Sequence, residues 1–408
     1  MPVLKNISIL YTCRPQGNQG DVHPVHDAAM VWEDDTITWA GRENELPEQY
    51  NSGHEQLNAG GKIVIPGLID CHTHLCFGGW RADEFEQRLM GVSYLDIAKA
   101  GGGILSTVKQ TRIASEDDLF EKASALLNEI MKTGVTTIEG KSGYGLSPEE
   151  EIKQLRVYRR LNDKSPARVI PTFLGAHTLP PEYSDNRQGY IDLLINEMIP
   201  EVASRKLAHF CDVFVEESAF TISEARHILE TAKDAGLRPK IHADQLTSGG
   251  GAELAAEVGA ISADHLERIS DRGIRRMQEE GVVAVALPIA SLYTQQPYLN
   301  CRKLADAGVE VAVATDFNPG SAPSYDLPLA MMLACNHGRL TPSESLKAAT
   351  IIAAKAIGVN QRTGSIEPGK SADFNILDAP DINHWIYHFK RTPPIRTFVS
   401  GKQLETAN

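Results

Sequence analysis

Between residues 66 and 358, short apolar runs alternate with longer amphipathic stretches, the rhythm of strands buried on both faces and of the helices that cover them. The runs are Leu68–His72, Val135–Glu139, Val169–Leu174, Cys211–Val215, Lys240–Ala243, Ala260–His265, Val282–Leu287 and Val311–Thr315. Helix starts are legible between them. Ser115, Ser147 and Thr341 each stand three residues before an acid, and Pro148 and Pro342 take the first helical position. Gly134, Gly236, Gly259, Gly281 and Gly308 fall just before strands, where a helix ends on a left-handed residue. Eight such units predict an α/β fold closed into a (β/α)8 TIM-like barrel rather than a doubly wound sheet.

The two chain ends have another texture. Ile7–Tyr11, Ala28–Trp32 and Thr36–Ala40 are short β-prone runs, with Glu33-Asp34-Asp35 as a hairpin turn between the second and third. Ser371–Leu377 and Ile395–Gly401 repeat the pattern at the other end, with Glu367–Lys370 as a turn. Neither set is large enough to stand alone. The expectation is a small composite β-sandwich domain, built from residues 1–65 and 359–408, beside a barrel of residues 66–358.

Composition narrows the function classes. A chain of 408 residues, 42% hydrophobic and 23% charged, is an ordinary globular protein. Its formal net charge of -13, with no Lys/Arg block, argues against nucleic acid as a partner. No apolar run approaches membrane-spanning length, and Met1–Asn6 lacks a secretory pattern, so no membrane and a cytoplasmic location are expected. The six cysteines are scattered without a CxxC and read as free thiols; Cys71 and Cys76, although they flank a histidine pair, are read as packing residues.

In a barrel, chemistry projects from the C-terminal ends of the strands. Those ends carry His72 and His74, then Glu139, His177, His242, His265 and Asp316. A single strand-end histidine is more often a hydrogen-bonded structural residue than a ligand. Five of the thirteen histidines gathered at such ends point instead to a site. His72, His74, His242 and Asp316 are the best metal-ligating four, a set of imidazoles and a carboxylate suited to one ion of zinc or iron. A metal there lowers the pKa of bound water to about 7, and hydrolysis is the natural reaction. Asp316 is placed to take the water's proton and pass it to a leaving nitrogen, while His265 polarises a carbonyl or, more blandly, orients a ligand.

These residues and their surroundings resemble the amidohydrolase superfamily. The similarity runs through Pro66–His74, Arg81–Phe85, Gly101–Ile104, Lys141–Leu146, Leu174–His177, His242–Gln245, Ser262–Leu266 and Ala314–Gly320. Within the superfamily it is strongest to members of histidine degradation, in which the Arg81 and Lys141–Leu146 segments are specific. The resemblance implies hydrolysis of 4-imidazolone-5-propanoate to N-formimidoyl-glutamate, with a zinc ion, or an iron, and a homodimer. It implies that Arg81, Tyr144 and His177 contact the substrate, with Tyr94 and Ser321 nearby, and that Asn318 and Gly320 meet the glutamate end. By residue chemistry alone, Arg81 would be a surface ion-pair residue beside Asp83 and Glu84, and Tyr144 a loop aromatic.

Two positions depart from the family pattern. Gln245 stands among the catalytic positions where many relatives have an acid; an amide has no useful titration, which shifts proton transfer towards Asp316 and His265. Gly140 stands where an apolar residue is usual and implies altered packing. The competing readings are an amidohydrolase or deaminase acting on another nitrogen heterocycle, and a silent scaffold; the retained ligand set speaks against the scaffold.

Overall fold

The computed structural model describes residues 1–92, 96, 101–389 and 392–404. The chain opens with strands β1 (Pro2–Tyr11), β2 (Pro24–Glu33), β3 (Thr36–Arg42) and β4 (Glu55–Pro66). It then winds through β5 (Leu68–Asp70), β6 (Val135–Lys141), β7 (Arg168–Ala176), β8 (Phe210–Val215), β9 (Arg238–Ala243), β10 (Ser262–His265), β11 (Val283–Ala286) and β12 (Val311–Val313). Strands β13 (Phe374–Leu377), β14 (Arg396–Val399) and β15 (Lys402–Gln403) finish it.

Both ends meet in one seven-stranded mixed sheet, in the order β15-β14-β13-β4-β1-β2-β3. Its core gathers Leu4, Leu10, Met30, Trp32, Val64, Phe374 and Phe398, with the Trp32 ring 5.2 Å from Phe374 and 5.7 Å from Phe398. The expected turn joins β2 to β3, and Asp34 there takes the left-handed conformation. Strand β4 was not anticipated, because Asn58-Ala59-Gly60-Gly61 reads as a turn. Gly60 and Gly61, at φ 67° and 71°, instead bulge the strand, and the parallel pairing with β1 resumes at Lys62.

One residue, Gly67, passes the chain from this sheet into the barrel. A Cβ there would lie 2.3 Å from Thr136 Oγ1, so only glycine lets the chain cross so close to β6. The eight predicted barrel strands are all present and pair in parallel in sequence order from β5 to β12. The ring closes between its last and first strands through a seam: Asp316 N–H donates to His72 O (3.1 Å), and His74 N–H donates to Phe317 O (2.9 Å). Below these bonds Asp70 does the work of a strand neighbour. Its carboxylate accepts from Thr315 N–H (3.1 Å) and Thr315 Oγ1–H (2.6 Å). Burial pushes its pKa up to about 7 in spite of those bonds.

Helix starts follow the expected chemistry at Ser115 and Thr341, which form reciprocal caps with Asp118 and Glu344. Ser147 has the spacing, but its side chain caps nothing and Pro148 alone opens the helix Pro148–Lys164. A third reciprocal cap, Thr221 with Glu224, was not anticipated. All five glycines placed before strands have positive φ. No helix among the described residues is long and apolar enough to cross a membrane.

Candidate active site

His72 and His74 lie just beyond β5, because the strand ends at Asp70. Strand pairing resumes at Thr73 between them, which bridges Phe317 in parallel and accepts from Lys141 N–H, and the seam pins the backbone of both histidines to the Asp316-Phe317 turn. His242 stands on β9, and Asp316, with φ 55°, on the turn after β12. The His72 ring is 5.3 Å from His74 and 4.6 Å from His242, and Asp316 Oδ1 is 3.4 Å from His72 Nε2 and 3.5 Å from His74 Nε2. The four expected ligands thus converge.

The donor set fits a transition metal ion. His72 Nδ1 faces Asp264 Oδ2 at 2.7 Å and His242 Nδ1 faces Asp212 at 3.0 Å, an arrangement that puts the ring proton on Nδ1 and leaves Nε2 as a lone pair. Both Nε2 atoms are buried without a hydrogen-bond partner, as is His74 Nδ1. Orphaned buried nitrogens of this kind are costly unless something binds them. Burial, reinforced by neighbouring imidazoles, pulls His74 well below the usual histidine range; burial also pulls His242 down to about 4, against its bond to Asp212. Both are neutral, as ligands must be. At His72 burial and Lys141 are outweighed by Asp264 and Asp316, which raise it to about 8, so a metal binding at Nε2 has to displace a proton there. Burial opposes ionisation of Asp316, but its contact with His72 keeps it below the usual carboxylate value.

Beneath the ligands lies a layer of buried charge. Lys141 Nζ is 2.7 Å from Asp212 Oδ2, 3.1 Å from Glu139 Oε2 and 3.2 Å from Asp264 Oδ2. Lys240 Nζ is 3.2 Å from Glu139 Oε1 and donates to Ala356 O. All five side chains are fully buried. Lys141 is engaged by three carboxylates, so it is not available as a bridging ligand. Gly140 explains itself here: the Tyr158 ring lies against it, where a Cβ would come within 2.4 Å, and the Tyr158 hydroxyl donates to Lys141 O.

The rim is built from loops. Arg81 Nε donates to Glu84 Oε2 (2.9 Å), and Glu84 Oε1 accepts from Gly103 N–H (2.8 Å). The guanidinium lies across Gly320, where a Cβ would sit 2.0 Å from Nη1. Arg81 and Gly320 are therefore neighbours. Tyr144 and His177 flank His74, with ring centroids 5.8 and 5.2 Å away, and His177 Nδ1 meets Gly143 O at 3.0 Å. Burial pulls His177 down to about 3. The Asn318 amide is used within its own turn: Nδ2 donates to Asp316 O and Ser321 Oγ, and Oδ1 accepts from the N–H groups of Gly320 and Ser321. That turn, rather than a free amide, is what Asn318 contributes. His265, at φ 80°, has its ring 5.5 Å from His242, with Nδ1 3.7 Å from Glu267 Oε1. Gln245 is half-buried on the loop after β9, which Glu216 fastens by accepting from Leu246 and Thr247 N–H. Tyr94 lies outside the described residues.

Sequence reasoning missed Asp212, Asp264, Lys240, Glu84, Glu151 and Glu216. The first three had a signal: a charged residue inside an apolar run, two before a strand-end histidine in the case of Lys240. Glu151 is hidden in the acidic run Glu149-Glu150-Glu151, yet its buried carboxylate accepts from Gly143, Gly145 and Leu146 N–H and clamps the loop that carries Tyr144.

Residues 63–404 match the model of the amidohydrolase family, and the chain belongs to that family. Its fold is shared with guanine deaminase from E. coli (TM-score 0.76, 15% identity, 100% of this chain and 99% of that one) and with a zinc-bound adenosine deaminase from Xanthomonas campestris (TM-score 0.71, 17% identity, 98% and 92%). The particular group is that of the imidazolonepropionases. The chain is 51% identical over 372 residues to the imidazolonepropionase of Geobacillus thermodenitrificans, covering 90% of this chain and 88% of the relative. It is 44% identical over 404 residues to that of Fusobacterium nucleatum, covering 98% of each.

Proposed function

We propose that the residues around His72 and Asp316 open the cyclic amide of 4-imidazolone-5-propanoate with water, giving N-formimidoyl-L-glutamate. The chain is a hydrolase of histidine degradation, as its relatives are. His72, His74, His242 and Asp316 would hold one metal ion, and three imidazoles with one carboxylate favour zinc, with iron the other candidate. When bound, the ion supplies Lewis acidity, which brings the pKa of a water at such a centre to about 7.

The chain's own residues do the rest. Asp316 accepts the proton of the attacking water and delivers it to the ring nitrogen as the C–N bond breaks. His265 faces the carbonyl and stabilises the charge that develops on its oxygen. Gln245 offers an amide that orients but does not exchange protons. Arg81, steadied by Glu84, presents its planar fork to the propanoate carboxylate, and Tyr144 and His177 wall the ring. The family expectation adds a homodimer in the cytoplasm.

The observation that carries this reading is the convergence of four ligand side chains from three strand ends at one mouth, with Arg81 lying on Gly320 four residues after Asp316. Protein mixed with freshly generated imidazolone propanoate should remove its ring absorbance, and the His242→Ala protein should not. Equal rates for the two proteins would refute the assignment.

A further inference from the structure

The buried layer under the ligands is not explained by stability. Burying two ammonium groups and three carboxylates costs several kcal/mol per ion before pairing, and apolar residues of similar size commonly do as well. Its geometry points to another role. Asp212 lies 3.0 Å from His242 Nδ1 and 2.7 Å from Lys141 Nζ; Asp264 Oδ2 lies 2.7 Å from His72 Nδ1 and 3.2 Å from Lys141 Nζ. Lys240 approaches Asp264 only to 4.0 Å. Lys141 is therefore the cation that closely engages both orienting carboxylates.

We propose that Lys141 is a positioning residue: a fixed internal cation that holds Asp212 and Asp264 where they aim the Nε2 lone pairs of His242 and His72, and so sets how tightly the centre keeps its metal. The inference rests on the one-metal reading given above. The chain of contacts is short and each link is geometric. Without the ammonium, Lys240 still pairs with Glu139, but Asp212 and Asp264 face one another as buried like charges with no close cation between them, and they relieve the repulsion by turning apart. Each turn takes an acceptor away from a ring Nδ1. An imidazole without that acceptor is free to rotate and to move its proton to Nε2, where it cannot ligate. The Lys141 backbone is fixed at this place, its carbonyl accepting from the Tyr158 hydroxyl and its N–H donating to Thr73 O, between the two histidines.

The test compares wild type, Lys141→Met and Arg168→Met. Arg168 pairs with Asp373 at 3.0 Å at the opposite end of β7 and touches no ligand or orienting residue, so it controls for the loss of an ion pair as such. Each protein is stripped, loaded with zinc and titrated against a chelator, and its metal-free thermal unfolding is recorded. Zinc binding by Lys141→Met should weaken about 10- to 100-fold, while Arg168→Met keeps wild-type affinity even where its unfolding temperature falls. Wild-type affinity in Lys141→Met, or equal weakening in Arg168→Met, would overturn the proposal. Should Lys141→Met fail to fold, Lys141→Gln keeps a polar side chain of similar length and removes only the fixed charge; several-fold weaker zinc binding supports the proposal and wild-type affinity overturns it. A wild-type protein that takes up no zinc or iron would overturn the one-metal reading itself.

Discussion

The floor and the rim of the site hold their side chains by different means. On the floor, His72 and His242 are oriented by fully buried carboxylates that are themselves fixed by lysines. On the rim, Arg81 and Tyr144 are carried on loops, and single carboxylates fasten those loops by accepting backbone N–H groups: Glu84 from Gly103, Glu151 from Gly143, Gly145 and Leu146. Side chains fix side chains below, and side chains fix backbone above. The difference matches the tasks. A metal centre needs donor atoms placed to tenths of an ångström, whereas substrate recognition needs a loop shape that alternative substrates can fail to fit.

Substitutions should separate the two layers. His242→Ala, a floor change, should abolish stoichiometric metal and reduce turnover to the uncatalysed rate, as read by metal analysis and the absorbance assay. Arg81→Ala, a rim change, should leave the metal in place and raise KM, costing about 1.5–3 kcal/mol or roughly 10- to 150-fold in kcat/KM. A larger fall in kcat than rise in KM would move Arg81 out of the binding role. Glu151→Gln leaves several buried N–H groups poorly satisfied and should destabilise by about 2 kcal/mol, with a smaller loss of kcat/KM and unchanged metal content.

Acid should act on two buried histidines, His242 on the floor and His177 on the rim, when the metal has been removed. His177 is held at about 3 and His242 at about 4, against an ordinary 6.5, chiefly by burial. The unfolded chain therefore takes up protons that the native one refuses, so their contribution is complete above pH 6.5 and is lost as pH falls from 6.5 through about 4 for His242 and about 3 for His177. Thermal unfolding of metal-free protein should show a falling midpoint across that window. The smallest effect belongs to a change far from both layers: Thr221→Ala breaks a helix cap and should cost about 1 kcal/mol, with kinetics and metal content unaltered.

What could be read from the sequence follows the same division. The barrel strands were legible as apolar runs set off by helix starts and terminal glycines, and the candidate ligands stood out because histidine at a strand end is conspicuous. Strand β4 was not, since Gly60 and Gly61 imitate a turn while bulging a strand. The orienting residues Asp212 and Asp264 sit in the middle of apolar runs, where a charge shows that something is paired but not with what; their partners come from other strands. The rim was legible only through family resemblance. Arg81 beside Glu84 is chemically a surface ion pair, and only the packing of its guanidinium on Gly320 brings it to the site.

The seam between the last and first barrel strands ties closure of the ring to the geometry of the site. His72 and His74 come from the start of the barrel and Asp316 from its end, and the backbone bonds that join these segments are made by the ligand residues themselves and their neighbour Phe317. His242 stands between them on β9, in the middle of the strand order. The same backbone contacts that close the circle bring the Asp316 carboxylate to His72 and His74.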